Sequence, residues 1–368
     1  MHCIKIFVIT TIASSLFACS SGQERQQTQS AINDAPLINS KAPATKFDLS
    51  EWKITLPLDD NNDGKIDEIS VSAIQQFSHS DFFYLDENDH MVFATPNKAT
   101  TTANSSNTRS ELRHMLAGQK KNIKTKSLAN NFAISKHSLS EYFGRIGGKM
   151  EASLKVDHVA KNAGHPNKPP AYSVVVGQIH AGKDKNLLAK TKNKFGWGNE
   201  PIKIYYKKWP DHKTGSVFWN YERNLAKNDP NRKDISYPVW GHGWTNSDDP
   251  GKAGVELGEE FSYVINVHEN TMYLEFSAPN KETVKFTVNL SNNIDPFSKA
   301  DILDNRYGYT LDWNYFKAGA YNQCSTKDAE GFWYAACAGT GDWVTDKENG
   351  DYTQVTFTSL KVGESTAP

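Results

Sequence analysis

The chain has 368 residues, room for one large β domain or two smaller ones and ample for a sizeable core. Its 41 Lys and Arg against 42 Asp and Glu leave a formal net charge of −1. That excludes the global basic field of a nucleic-acid binder, so attraction for a polyanion has to come from local placement of cations.

Lys5 precedes an apolar run over 6–17 that is too short to span a bilayer. The run ends in Leu16-Phe17-Ala18-Cys19, which resembles a bacterial lipoprotein cleavage box. This predicts a signal peptide over 1–18 with Cys19 as the lipidated residue; simple secretion is the other outcome. Ser20 after the cysteine, by analogy, favours the outer membrane. Residues 19–46 are polar, with little to bury, and read as a flexible tether.

From Phe47 to the end short alternating segments dominate, at 52–56, 82–84, 91–94, 149–156, 202–209, 216–221, 261–267, 272–276, 283–289 and 354–362. Clusters of Gly, Asn, Asp and Pro separate them, and helix-length patterns are few. The pattern predicts an all-β fold, a β-sandwich or jelly roll, over 47–368. A short helix is expected near 70–76. Asp59, Asn61, Asp63 and Gly64 fit the opening of a calcium loop, but Ser70 stands where the closing Glu belongs. An Asx-rich turn is the preferred reading, and a calcium held there would be structural. Along 202–209, Lys203, Tyr205, Lys207 and Trp209 share one face, as solvated residues of an edge strand would. The stretches 183–199 and 224–249 read as long loops.

Three further strands carry lined-up polar groups. Residues 108–114, TRSELRH, place Arg109, Glu111 and Arg113 on one face. In 172–180, YSVVVGQIH, Val176, Gln178 and His180 share a face, and Val175, Gly177 and Ile179 the opposite one. In 315–323, YFKAGAYNQ, Tyr315, Lys317, Gly319, Tyr321 and Gln323 oppose Phe316, Ala318 and Ala320. Side by side, these strands make a cationic groove with a candidate base and a candidate acid.

The motifs R-S-E-L-R, Q-I-H and Y-F-K-A-G-x-Y-N-Q, in this order, resemble those of polysaccharide lyase family 7, the alginate lyases; the similarity runs from about Phe47 to Val362. The resemblance implies a jelly roll with a concave substrate-binding sheet, alginate as partner, and no required cofactor or metal. It implies Arg109, Gln178, His180 and Tyr321 as the catalytic four. Glu111, Arg113, Tyr315, Lys317 and Gln323 are then candidates for substrate binding, with Glu111 orienting the arginines beside it. On such a reading Lys203 and Lys207 can equally line a polyuronate-binding wall, and Trp240 and Trp244 become candidates for stacking on sugar rings. Ile179 in Q-I-H leans toward guluronate-containing blocks.

The chemistry fits these residue types. A proton on carbon 5, beside an ionised carboxylate, is very weakly acidic, so its removal needs a neutralised carboxylate, a base and an acid for the leaving oxygen. Arg109 offers a bidentate fork and Gln178 an amide donor. His180 titrates near neutrality and can act as a base when neutral, and the resemblance implies it as the base for guluronate. Tyr321 is the acid, and with its proton affinity lowered by Arg109 and Lys317 it serves as both base and acid for mannuronate. Of the four cysteines, Cys3 and Cys19 belong to the export segment. Cys324 and Cys337 are expected to form a disulfide, rather than two free thiols, in an exported protein. A monomer is expected. Two other classes compete with this reading. A jelly-roll glycoside hydrolase with Glu-x-Asp-x-x-Glu is opposed by Val92, which stands where Glu87-Asn88-Asp89 would need the second Glu. A non-catalytic carbohydrate-binding module or lectin has no need of His180 and Tyr321 beside Arg109.

Overall fold

The computed structural model describes residues 41–183, 196–328 and 333–368; the expected signal peptide, Cys19, the tether up to residue 40 and residues 184–195 of the expected loop 183–199 lie outside them. Two sheets face each other, as the alternating segments predict. Across the larger sheet run Asp234–Trp240 (β12), Thr214–Glu222 (β11), Ile202–Lys207 (β10), Ser173–Gly182 (β9), Trp313–Ser325 (β17), Asn107–His114 (β5), Trp52–Thr55 (β1) and Glu68–Ile69 (β2). Short strands Phe132–Ala133 (β6), Arg145–Ile146 (β7) and Val255–Glu256 (β13) attach to it. The smaller sheet has the order Val284–Asn289 (β16), Thr271–Ser277 (β15), Glu260–His268 (β14), Gly148–His158 (β8), Tyr352–Gly363 (β18), Met91–Pro96 (β4) and Phe83–Leu85 (β3). Apart from β6–β7, the paired strands are antiparallel. Neighbours in each sheet are often distant in sequence, and the fold is an all-β sandwich of the jelly-roll type.

Burial of the apolar faces holds the layers together. Ile54, Leu112, Val176, Ile179, Phe316 and Ala318 of the larger sheet meet Phe93, Met150, Leu154, Tyr263 and Phe357 of the smaller. Each fully buried Leu, Ile or Phe contributes roughly 1.5–3 kcal/mol. Strand β8 alternates strictly between buried and partly exposed residues, the mark of a sheet with one wet face. Strands β5, β10 and β11 are buried along their whole length. The centre of the larger sheet is therefore covered on its outer side too, and the polar groups there need partners within the protein or a ligand.

Several expectations are corrected. Pro43 is buried and opens a 3₁₀ turn, Pro43–Thr45, so the last residues of the expected tether belong to the folded unit. The helix near 70–76 is reduced to a 3₁₀ turn, Ile74–Gln76. The stretch 224–249 is not all loop, since it contains β12, and Trp240 at the end of that strand is buried in the core, where its Nε1 donates to the Glu282 carbonyl. It is no sugar platform. Strand β10 lies between β9 and β11 rather than at an edge, and Lys203 and Lys207 are buried. The calcium reading at Asp59, Asn61 and Asp63 gains no support: Asp59 and Asn61 oxygens accept from the Asp63 and Gly64 amides, and Asp63 accepts from Lys65. That is an Asx turn. Among the described residues no group of three His, Cys, Asp or Glu is placed to hold a metal ion.

Candidate active site

The three motif strands are neighbours, in the order β9-β17-β5, so β17 is the spine of the site. Register does the positioning. Tyr315 lies opposite His180, Lys317 opposite both Gln178 and Arg113, and Tyr321 opposite Arg109. Phe316, Ala318 and Ala320 point into the core, as their alternation requires. Gly319, at φ 139°, sits so close to β5 that a Cβ would come within 2.5 Å of the Ser110 carbonyl oxygen; its gap serves the neighbouring strand.

The face assigned to β9 is partly overturned. Val176 packs in the core, whereas Val175 lies on the site face against Tyr205, Phe218, Trp244 and Tyr321. The register shifts against both neighbours of β9 show why: a bulge resets the alternation before Gln178. Gly177 sits at this bulge, where a Cβ would collide with the Tyr263 ring at 2.5 Å. Gln178 and His180 emerge on the outer face, and Ile179 is fully buried beneath them.

Glu111 is the hub. One of its carboxylate oxygens accepts from Arg109 at 3.1 Å and pairs with Lys317; the other accepts from the Gln178 amide at 2.5 Å. Burial would raise the Glu111 carboxyl, but Lys317 and Arg109 outweigh it and hold the group below its ordinary value. Burial pushes Lys317 down to about 8, opposed by Glu111. The Arg109 guanidinium lies 3.9 Å above the Tyr321 ring, and Lys317 Nζ is 5.8 Å from the same ring. The buried Nε of Arg109 has no hydrogen-bond partner. Tyr321 Oη is 3.2 Å from Ser105 Oγ.

His180 occupies the other end. Its ring stacks on Tyr315, with centroids 5.3 Å apart, and Nδ1 lies 2.6 Å from the Ala181 carbonyl oxygen. Nε2 lies 2.9 Å from Glu200 Oε1. Both ring nitrogens thus face acceptors, the arrangement an imidazolium satisfies. Burial would raise Glu200, but His180 and Lys203 hold it well below the carboxylate range. Glu222 beside it is pushed well above by burial and by the charge of Glu200. Lys203 Nζ stands 3.6 Å from Glu200, 3.5 Å from Glu222 and 3.2 Å from Asp234, and Arg232 closes on Glu222 at 2.6 Å. Sequence reasoning missed Glu200, which precedes β10 outside any strand pattern. The one available signal was the run of alternating lysines in β10.

Two expected substrate contacts have other partners. Arg113 donates to the carbonyls of His114 and Thr125 and to Asn131, and lies 4.0 Å over the Tyr315 ring, tying the segment after β5 to the sheet. Gln323 is fully buried; its Nε2 donates to the Tyr321 and Asn322 carbonyls, and its Oε1 has no partner. Tyr315, pushed up to about 12 by burial, serves His180 as a stacking platform. Cys324 and Cys337 form the expected disulfide, with Cα atoms 5.4 Å apart, at the end of β17.

A jelly roll whose covered outer face holds an arginine, an amide, an imidazole and a phenol, with a buried carboxylate beneath, is the arrangement that the resemblance of the three motif strands to a polysaccharide lyase implies. Comparison with known proteins makes this specific. The alginate lyase family profile matches residues 47–364. An alginate lyase of Klebsiella pneumoniae is 33% identical over 328 residues, covering 87% of this chain and 90% of that one. A crystal structure of the alginate lyase from that organism superposes with a TM-score of 0.67 at 30% identity, covering 88% of this chain and 99% of the other. The exolytic PL7 alginate lyase AlyA5 of Zobellia galactanivorans gives 0.67 at 33% identity, covering 89% and 100%. The chain belongs to the alginate lyases of polysaccharide lyase family 7.

Proposed function

We propose that the chain cleaves 1,4-linked uronate polymer by β-elimination, leaving a 4,5-unsaturated sugar at the new non-reducing end, and that it accepts guluronate-containing blocks. The observation that carries this reading is the convergence of Arg109, Gln178 and Lys317 on Glu111, between Tyr321 at one end and His180 at the other. Arg109 and the second N–H of Gln178 receive the uronate carboxylate and hold the charge that moves onto it as the carbon-5 proton leaves. For guluronate, His180 in its neutral form, with Nδ1–H kept on the Ala181 carbonyl and Nε2 released from Glu200, takes that proton on Nε2. The bond from carbon 4 to the leaving oxygen breaks, the double bond forms, and Tyr321 gives its phenolic proton to that oxygen. The imidazolium that results is the state Glu200 and the Ala181 carbonyl stabilise. For mannuronate, where proton and leaving group share a side, Tyr321 serves as base and acid.

The test is near-ultraviolet absorbance of the unsaturated product on polyguluronate, polymannuronate and mixed blocks, with chelator present. Wild type should raise it, fastest on guluronate-containing blocks, and His180→Ala and Tyr321→Phe should each lower the rate roughly 10²- to 10⁴-fold. Alginate bound without product would leave a binding module instead.

Export with a lipid anchor at Cys19 belongs to the same reading, supported by the Leu16–Cys19 box and the polar stretch after it. Labelled palmitate should enter the wild-type chain and not Cys19→Ser; an unlabelled, fully released wild type would sink the anchor.

A further inference from the structure

Three lysines are buried on the outer face of the larger sheet, and their charges are met differently. Lys317 pairs with Glu111, and Lys203 is surrounded by Glu200, Glu222 and Asp234. Lys207, 5% exposed, makes no ion pair with any described residue. Its Nζ donates to the carbonyls of Pro169, at 2.7 Å, and Trp244, at 3.4 Å, which leaves one N–H of the ammonium. The same nitrogen lies 5.0 Å from the centre of the Trp209 ring. A buried cation without an anion is costly, and burial pushes Lys207 down to about 8.

Lys207 also lines an open pocket. Trp209 and Trp244 supply its aromatic walls, and Asn167, Thr245 and Ser247 its polar ones. The pocket adjoins the packing beside Tyr321: Tyr321 packs on the cluster of Val175, Tyr205, Phe218 and Trp244, and Trp244 also lines the pocket. By register, Tyr321 faces Val175, Val175 faces Tyr205, and Lys207 stands two residues further along β10. At strand spacings that places Lys207 roughly 12 Å from Tyr321, beyond a sugar bonded at the catalytic centre.

We propose that the Lys207 pocket is a remote uronate subsite, in which the ammonium takes the carboxylate of a sugar further along the chain while Trp209, the partly exposed aromatic of the pocket, covers its apolar face. The identity of the polymer rests on the lyase reading above; the anion-binding geometry does not.

Binding is measured without turnover, by calorimetry of saturated oligouronates of two to six units on Tyr321→Phe. Affinity should step up at the length that reaches the pocket. Adding Lys207→Gln should remove the step, a loss of roughly 10- to 100-fold for the longer oligomers, the range of one charge-assisted hydrogen bond, and spare the short ones. An oligomer of the longer length with its carboxylates reduced to alcohols should show no such step on the Tyr321→Phe protein, a control that holds even if Lys207→Gln fails to fold. An equal loss at every length, or a step that survives Lys207→Gln, overturns the proposal and leaves Lys207 as a tie between the Pro169 and Trp244 segments. Absence of unsaturated product from the wild-type chain would instead sink the lyase reading, while the length step would still decide the subsite.

Discussion

Around Glu111 one carboxylate serves two cations and an amide, whereas on β10 to β12 one ammonium, Lys203, serves three carboxyl groups. The first cluster is short of negative charge and keeps an unpartnered Arg109 Nε. The second is closed by Arg232 on one side and His180 on the other. Both are buried, and the second has an unpartnered Nε of its own, on Arg232, so the difference is one of charge balance rather than of hydrogen-bond completion. The Glu111 cluster carries more cations than anions, an excess that a uronate carboxylate would balance on the proposed reading, and the Lys203 cluster sets its cations against carboxyl groups and holds Glu200 against the imidazole. On that reading the site uses both: an excess of positive charge where substrate binds and a charge-matched network where geometry is fixed.

The sharpest way to break the contrast is to remove the hub. Glu111→Ala leaves Arg109 and Lys317 facing each other in a buried site, and the expected cost is about 3–5 kcal/mol of stability, read by denaturant unfolding. Uronate oligomers should recover part of that stability, because their carboxylates restore an anion; no recovery would mean that the cluster is not the carboxylate site.

Glu200→Gln keeps the shape of the second cluster but removes the charge that meets His180. The rate on guluronate blocks should fall about 10- to 100-fold, chiefly in kcat, as expected when a base loses the group that orients it and stabilises its protonated form. Binding to the Tyr321→Phe background should change little. A fall confined to KM would place Glu200 in substrate binding.

The mildest effect is in pH. Because burial lowers Lys317 to about 8, its ammonium is present below that pH and is lost as pH rises through it. Affinity for oligomers too short to reach Lys207 should therefore weaken above about pH 8, by up to roughly tenfold. Stability should move the other way. Between about 8 and the ordinary lysine value of 10.5 the unfolded chain holds this proton and the folded chain does not, so this group makes folding more favourable as pH rises. Affinity that stays level across this window would remove Lys317 from binding.

The motif strands were legible because each is a regular strand whose alternation sets a small apolar face against a polar one. Residues 315–323 show this most clearly, with Phe316, Ala318 and Ala320 in the core as their spacing requires. In residues 172–180 the same reasoning placed Gln178 and His180 correctly and Val175 and Val176 on the wrong faces. The cause is a bulge, which depends on how β9 pairs with β10 and β17 and on the Tyr263 ring over Gly177. The tryptophans divided for a similar reason. Trp240 ends an edge strand facing the core, and Trp244 has turned back onto the outer face.

By itself, then, the sequence determined the layer type, the strands that carry Arg109, Gln178, His180 and Tyr321, and the chemistry those groups can perform, since periodicity and residue type are local properties. Only the tertiary structure decided that Glu111 joins three of the polar groups, that Glu200 meets His180, that Arg113 is engaged by the segment after β5, and that Lys207 is buried without a counter-charge among the described residues. Those are contacts between elements remote in the chain, and burial and electrostatic pairing acquire a value only once the sheets have closed.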